Sequence, residues 1–218
     1  MSRVQAIGVG AGGHAVVVME ILKMTGACDI IGLLDARRDL WRTEVDGATV
    51  LGGDELLPSL YRGGVHAAFM GVGSVGYGRV RRDLYARVVG HGFELLTAIH
   101  PRAVVSSTAR VGGGATVMAG ACINPGATLG NNVIVNTGAI VEHHCVIGDH
   151  VHIASGARLA GGVTVGECSH VGLGASVLQN VRIGTSAVVG AGAVVIDDVE
   201  DYAIVVGVPA NMLAERQR

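Results

Sequence analysis

Ile147-Gly148-Asp149-His150-Val151-His152-Ile153-Ala154-Ser155-Gly156-Ala157-Arg158-Leu159-Ala160-Gly161-Gly162-Val163-Thr164-Val165 places an aliphatic residue at every sixth position: Ile147, Ile153, Leu159 and Val165. Stepping by six in both directions keeps the pattern from Val105 to Val195, and all sixteen positions are Val, Ile or Leu. Four residues after each aliphatic stands a mostly small side chain, among them Ala109, Ala115, Ala121, Ala139, Cys145 and Ala193. Glycine often follows the aliphatic directly, as at Gly112, Gly130, Gly148, Gly166 and Gly184. An α-helix cannot use this period, because 3.6 residues per turn would carry the aliphatics around every face. Plain strand alternation does not require a small residue at the fifth place either.

A short strand followed by a corner requires both features. Three such strands make one triangular coil of eighteen residues, with the aliphatic pointing inward and a small or glycine residue letting the backbone turn. Sixteen hexads give five and a third coils, a stack roughly 25 Å tall at ~4.8 Å per strand. No insertion interrupts the hexads, so no loop is expected to protrude between Val105 and Val195. Adding eighteen predicts the stacking: Asn124 beneath Glu142, and His152 beneath His170. This is the hexapeptide signature of a left-handed parallel β-helix.

Composition agrees with such a core. Among 218 residues 35 are Gly, while the aromatics are four Tyr, two Phe and one Trp, so the interior is filled without large rings. Half of the residues are hydrophobic and 16% charged, which excludes an intrinsically disordered chain. A net charge of -2 and the absence of any Lys/Arg-rich run argue against nucleic-acid binding. No stretch approaches the ~20 apolar residues of a membrane span. The residues from Met1 to Gln5 lead directly into a strand-like segment, so no export signal is read. Cys28, Cys122, Cys145 and Cys168 are widely spaced and form no CxxC pair. They are expected to act as small hydrophobes in a reducing cytoplasm.

The first hundred residues alternate strand and helix patterns. Val4 to Val9 reads as a buried strand, with a glycine turn leading into a helix from about Ala15 to Thr25, and Asp29 to Leu34 as the next strand. A helix around Asp54 to Tyr61, a strand Val65 to Val72, a helix from Arg79 to Val89 and a strand Glu94 to Ile99 follow. That alternation predicts a small Rossmann-like domain with a parallel sheet. His100-Pro101 marks the junction, because a residue before proline is pushed out of helix. The organisation expected is therefore 1–100 Rossmann-like α/β domain, 101–199 left-handed β-helix domain and 200–218 C-terminal tail. Gly8-Val9-Gly10-Ala11-Gly12-Gly13 satisfies GxGxxG, with Asp35 at the end of the second strand. Glycines there let a phosphate approach the N–H groups of a helix N-terminus, and the acid accepts ribose hydroxyls. Fewer than a hundred residues supply only half of a double mononucleotide fold, which favours a nucleotide over NAD.

Gly10-Ala11-Gly12-Gly13-His14-Ala15, Ile31-Gly32-Leu33-Leu34-Asp35, Ile99-His100-Pro101, Glu142-His143-His144-Cys145 and Val206-Gly207-Val208-Pro209-Ala210 occur in this order around the hexads. Together they resemble one branch of the hexapeptide-repeat acyltransferases. That branch contains the nucleotide-linked 4-amino-sugar N-acetyltransferases of the bacillosamine and perosamine type and the sialic acid O-acetyltransferase group. The resemblance covers nearly the whole chain. It implies a homotrimer with active sites between adjacent prisms, acetyl-CoA as co-substrate without a metal, and a nucleotide-linked amino-sugar as acceptor in glycan biosynthesis. It implies His143 as catalytic base, and His152, Gly161, Leu173 and Ala191 as acetyl-CoA contacts. Gly12, Gly13, His14, Asp35 and Gly73 fall where the family binds the nucleotide-sugar. Two departures stand out. His144 replaces the acid that commonly follows the catalytic histidine, leaving His144 or Glu142 to tune the base. Gly73-Ser74-Val75-Gly76-Tyr77-Gly78 replaces a short Gly-Asx-Asx element.

Five histidines lie within twenty-eight residues: His143, His144, His150, His152 and His170. A histidine, with a pKa of ~6.5, accepts a proton near neutral pH, which suits a base acting on an attacking amine or hydroxyl. His150 is expected to be exposed, and His170 to complete a polar ladder on His152. No cysteine has the adjacent base of a nucleophile. The reaction expected is direct attack of an amino-sugar amine on the acetyl-CoA thioester. O-acetylation of a sugar on the same fold, and a metal hydratase like the γ-class carbonic anhydrases, which use this prism with three histidines around zinc, are the alternatives.

Overall fold

The computed structural model describes residues 3–74 and 78–215. Val75, Gly76 and Tyr77 of the expected replacement element lie outside the described residues. The chain divides into two compact units: Met1–Gly73 with Asp83–Pro101, and Ser74–Arg82 with Arg102–Arg218. Ser74 and the residues from Gly78 to Arg82 thus group with the hexads rather than with the chain that precedes and follows them.

In the first unit β1 (Gln5–Val9), α1 (Gly13–Thr25) and β2 (Asp29–Leu34) are followed by the hairpin β3 (Glu44–Val45) and β4 (Ala48–Gly52). Then come α2 (Leu57–Arg62), β5 (Ala67–Met70), α3 (Arg79–Gly90, which begins in the segment assigned to the second unit), β6 (Glu94–Leu95) and β7 (Ala98–Ile99). Among the described residues the sheet order is β3-β4-β2-β1-β5-β6, parallel except for the β3/β4 hairpin. Alternate residues feed opposite faces. Ala6, Leu33, Ala67 and Phe69 join a core with Val18, Met19 and Leu22 of α1. Ile7, Val9, Leu34 and Met70 join another with Leu57 and Val88. This two-sided burial explains why these strands read as continuous apolar runs.

Three local differences from the sequence expectation have simple causes. Helix α1 starts at Gly13, two residues early, because Gly12 at its N-cap is already in extended geometry. The expected strand Glu94–Ile99 is interrupted at Leu96-Thr97. The hairpin β3/β4 was not anticipated, although Asp46-Gly47 with φ of 49° and 76° forms the kind of left-handed two-residue turn that joins such strands.

In the second unit sixteen two-residue strands, from Val104–Val105 to Val194–Val195, recur every six residues. Each pairs in parallel with the strand eighteen residues on, as Cys122↔Ile140 and His152↔His170 do, so the hexads close into a three-sided parallel β-helix. The second residue of each strand points inward: Val117, Val135, Val141, Ile153, Val171 and Val189 are fully buried. Full burial of such a side chain stabilises by about 1.5–3 kcal/mol. Val105 and Val111 are only half-buried, because no coil lies beneath them. After the last hexad, Ala203–Val206 continues one face, and Asn211–Glu215 pairs antiparallel with it.

The corners follow a rule more specific than the sequence suggested. The glycines after the aliphatics do not reverse the chain. Positive φ occurs two residues later, at Gly114, Gly120, Gly126, Asn132, Gly138, His144 and onward every six residues to Gly192. Gly112, Gly148 and Gly166 have another role, since a Cβ there would lie 2.5, 2.8 and 2.6 Å from backbone atoms of the next coil. One set of glycines supplies left-handed backbone and the other permits coil contact.

Gly156 has φ of 69° and open space around a would-be Cβ. Gly156→Ala is therefore expected to cost about 1–2 kcal/mol from backbone strain alone, and Gly156→Asn clearly less. Chemical denaturation measures both; equal losses would refute the assignment of strain to backbone handedness.

Candidate active site

Val141 is the inward residue of its hexad, and the following corner carries Glu142, His143 and His144 to the surface. His144 occupies the left-handed position (φ 58°), a conformation that His tolerates better than most residues. Its neighbour coils leave room for both rings. A Cβ on Gly161, eighteen residues after His143, would lie 2.5 Å from His143 Nε2, and one on Gly126 would lie 2.9 Å from His144 Cδ2. His143 thus lies over the coil above and His144 over the coil below. Their Nδ1 atoms are 3.1 Å apart, one donating and the other accepting. The His143 N–H donates to Glu142 Oε2 at 3.3 Å, so Glu142 engages the backbone of His143 and not its ring.

Gly161 shares the corner of His143, one coil on. Leu173 and Ala191, also eighteen residues apart, occupy a different corner, following the face that contains His152 and His170. A single chain brings His143 and Gly161 together and keeps Leu173 and Ala191 apart from them.

His152 projects outward from its strand yet is buried. Its Nδ1 donates to the Ser74 carbonyl, and its Nε2 accepts from Asn136 Nδ2 at 3.2 Å. The Asn136 orientation is fixed because its Oδ1 accepts the Thr137 N–H at 2.7 Å. These partners define the neutral Nδ1–H tautomer. Burial first, then His170, stacked edge-on at 4.9 Å, and Arg81 push the His152 pKa down to about 4, against the opposing Ser74 hydrogen bond. His150, expected at the surface, is instead buried at a left-handed corner, 2.9 Å from Asn132 Nδ2, and burial lowers its pKa. Arg81 gave no signal in the sequence. Its guanidinium is buried against the carbonyls of Gly114 and Asn132, both at 3.4 Å, and burial pulls its pKa to about 9.

In the first unit Gly10, Gly12, Gly13, His14, Asp35, Gly71 and Gly73 line a cavity of about 420 Å³ at the C-terminal ends of β1 and β5. The strand order reverses between these two strands, where open α/β sheets bind ligands. Gly10 and Gly71 are needed for packing, because a Cβ on Gly10 would meet Val72 at 2.5 Å and one on Gly71 would meet Ala15 at 2.9 Å. Among the described residues nothing lies within 4 Å of a Cβ placed on Gly12 or Gly13. None of the described side chains caps α1 either, so its first N–H groups open onto this space. Asp35 Oδ2 accepts the Ala11 N–H at 2.8 Å, and both carboxylate oxygens are engaged by Arg37 at 3.0 and 3.1 Å. Burial alone would raise the Asp35 pKa, but these bonds outweigh it and hold it below the usual carboxylate value. Arg37, which the sequence did not single out, becomes the cationic group of this cavity.

Comparison with known proteins agrees with both halves. Residues 6–88 match the PglD N-terminal domain, and residues 126–161 match the bacterial transferase hexapeptide (six repeats). PerB from Caulobacter crescentus, solved with CoA and GDP-perosamine, is 41% identical, with 96% of this chain and 97% of that chain covered and a TM-score of 0.89. The chain belongs to the hexapeptide-repeat N-acetyltransferases of amino-sugars. The acetyltransferase domain of PglB from Neisseria gonorrhoeae FA1090, solved with acetyl coenzyme A, is 38% identical over 97% of this chain and 100% of that one, with a TM-score of 0.88. WeeI from Acinetobacter baumannii AYE is 27% identical over 96% and 100%, with a TM-score of 0.82. No curated protein matches. The β-helix of this N-acetyltransferase is of the left-handed kind, and the hexapeptide match contains Glu142, His143, His144, His152 and Gly161. Among its described residues no group of three or more His, Cys, Asp or Glu side chains is placed to hold a metal ion, and no helix is long and apolar enough to cross a membrane.

Because the folded pKa of His152 lies below its ordinary value of 6.5, the unfolded chain binds the proton more readily. Stability is expected to fall as pH drops from ~6.5 towards ~4, by on the order of 3 kcal/mol for this group. His152→Asn keeps a donor for Ser74 and should flatten that slope in denaturation experiments at stepped pH. An unchanged slope would show that His152 does not carry it.

Proposed function

We propose that this enzyme transfers the acetyl group of acetyl-CoA to the amine of a nucleotide-linked 4-amino-6-deoxy sugar, with His143 as general base. The observation that carries this is the His143–His144 pair. When His143 Nδ1 donates to His144 Nδ1, His143 Nε2 is left with its lone pair at an exposed corner. A neutral imidazole thereby takes the orienting position that the resemblance gave to an acid. It fixes the tautomer of the base, although it supplies no charge.

The amine lone pair forms the C–N bond while the thioester carbonyl electrons move onto oxygen. His143 Nε2 takes the proton that the amine nitrogen sheds. Collapse of the tetrahedral adduct breaks the C–S bond, and the leaving thiolate takes the proton to become CoA. Backbone N–H groups at a coil corner are the natural donors to the oxyanion. The fold's contribution is mostly placement of amine and thioester, with the base adding about 10²- to 10⁴-fold.

Residues 1–100 would hold the nucleotide, with the diphosphate at Gly12 and Gly13 beside Arg37, and His14, Asp35 and Gly73 around it. Residues 101–199 would carry acyl transfer, followed by the tail 200–218. A homotrimer completes the site: Leu173 and Ala191 of one prism would line the CoA groove against the His143 corner of the next, as cyclic symmetry allows. In that groove His152 would act through its neutral ring. The likeness to PerB, whose complex holds CoA and GDP-perosamine, supports the choice of substrates. Four free thiols and the use of acetyl-CoA favour the cytoplasm, where the acetamido-sugar nucleotide would feed glycan biosynthesis.

Thiol release from acetyl-CoA, measured with UDP-, dTDP- and GDP-linked 4-amino-6-deoxy sugars and free sialic acid, tests the reaction. Release is expected with one nucleotide amino-sugar, and release only with sialic acid would overturn the choice of acceptor. His143→Ala should lower turnover at least about a hundred-fold with CoA binding retained. Near-native turnover would remove His143 from the base role.

The shared site makes a separate prediction. Chains bearing His143→Ala and chains bearing Leu173→Arg, each inactive alone, should regain part of the activity when assembled together. A monomer by light scattering, or no recovery from mixed assemblies, would contradict a groove built by two chains.

A further inference from the structure

Beyond Asp35 the chain serves two cavities. Asp35 and Arg37 line the glycine-rich one, while Ala36 and Arg38 line a second, also of about 420 Å³, closed by Trp41, Gly53, Asp54, Glu55 and Arg87. The stretch from Asp35 to Arg38 is thus the wall between them. A ligand whose diphosphate sits at Gly12 and Gly13 would meet the second cavity by crossing this wall.

The second cavity offers a flat ring and a fixed acceptor. The Trp41 indole N–H donates to the Asp35 carbonyl at 2.8 Å, and the Arg38 guanidinium lies 5.5 Å from the ring centroid. The only tryptophan of the chain is therefore held by its polar edge, packs in part against the core of the first unit, and lines the cavity with the Arg38 guanidinium over its ring, a π–cation wall of the kind on which bases stack. Of the two acids, Asp54 is answered by Arg87 at 2.7 Å. Glu55 is bent back over Gly53, whose N–H donates to Glu55 Oε1 at 3.2 Å. A Cβ on residue 53 would collide with Glu55 Oε2, so a glycine there is what allows the carboxylate this position. The acid is oriented before any ligand arrives, which limits the ordering cost of binding.

An ionised carboxylate only accepts hydrogen bonds. Guanine has N1–H and the N2 amino group side by side, so it can donate two bonds to one carboxylate. Uracil and thymine offer a single N3–H flanked by two carbonyl oxygens, which a carboxylate repels. Adenine places an unprotonated ring nitrogen next to its amino group.

We propose that this second cavity is the base subsite of the nucleotide site, that the Trp41–Arg38 pair forms its stacking wall, and that Glu55 selects guanine, making the acceptor a GDP-linked amino-sugar. This rests on the nucleotide-sugar function proposed above and names the base that function leaves open.

Calorimetric titration of the full-length protein with GDP, UDP and dTDP tests it without acetyl-CoA. GDP is expected to bind about ten-fold or more tightly than either pyrimidine nucleotide. Glu55→Gln, which puts an amide donor against the guanine donors and removes the charge that repels the uracil carbonyls, should weaken GDP by about ten-fold and bind UDP no more weakly than the wild-type protein does. That retained UDP affinity also shows that the variant is folded. Equal binding of the three nucleotides, a preference for UDP or dTDP, or undiminished GDP binding by Glu55→Gln would each overturn the base assignment and leave the nucleotide site standing. Failure of every nucleoside diphosphate to bind the wild-type protein would instead remove the nucleotide site itself.

Discussion

Parallel hydrogen bonding between residues eighteen apart is the constraint on which the second unit depends. Each backbone N–H of a short strand donates to a carbonyl one coil away, as Asn124 does to Val141 and Glu142 to Leu159. At ~4.8 Å between coils there is no room for a side chain where backbones come closest, and no freedom for a strand to slip. The inward aliphatics, the small residue that shares their interior and the left-handed corner all follow from this spacing. A coil cannot bury its aliphatic alone, so stability accumulates by stacking, and the half-buried Val105 and Val111 show where stacking ends.

The same spacing sorts the histidines. His143 emerges one place before the left-handed corner position, at the surface, with Gly161 leaving room for its ring. His144 and His150 both occupy that corner position, the one exposed beside His143 and the other buried on Asn132. His152 and His170 stand on the outer face of paired strands, where burial and their mutual contact disfavour the charge on His152. One residue type thus supplies an exposed pair of rings in mutual contact and a neutral buried hydrogen-bonding bridge, and environment alone makes the difference.

In the first unit the glycines divide in a comparable way. Gly8, Gly10 and Gly71 are demanded by neighbouring protein atoms, whereas Gly12 and Gly13 face empty space over the uncapped start of α1. Only the second kind points to a ligand. Asp35 links the two, since it binds the Ala11 N–H of the turn and also holds Arg37 at the cavity. The acid that a GxGxxG pattern assigns to a ribose acts here first as an organiser of the turn and of a cation.

The sequence by itself determined the coil, its register and the stacking of His152 on His170, because a strict six-residue period leaves only one way to bury every aliphatic. It also placed β1, β2 and β5 of the α/β unit, whose apolar runs and glycine turns are local signals, but not the β3/β4 hairpin. It misplaced the corner, since whether a glycine serves φ or close approach depends on atoms of the next coil. It left His150 at the surface and passed over Arg81, because burial between segments more than thirty residues apart, as Arg81 and Gly114 are, has no local signature. The His143–His144 contact, the neutral tautomer of His152 and the folding of Glu55 over Gly53 were likewise settled by tertiary structure. Hydrogen-bond partners and desolvation are properties of neighbours in space, and the hexads specify those neighbours only where they are eighteen residues apart.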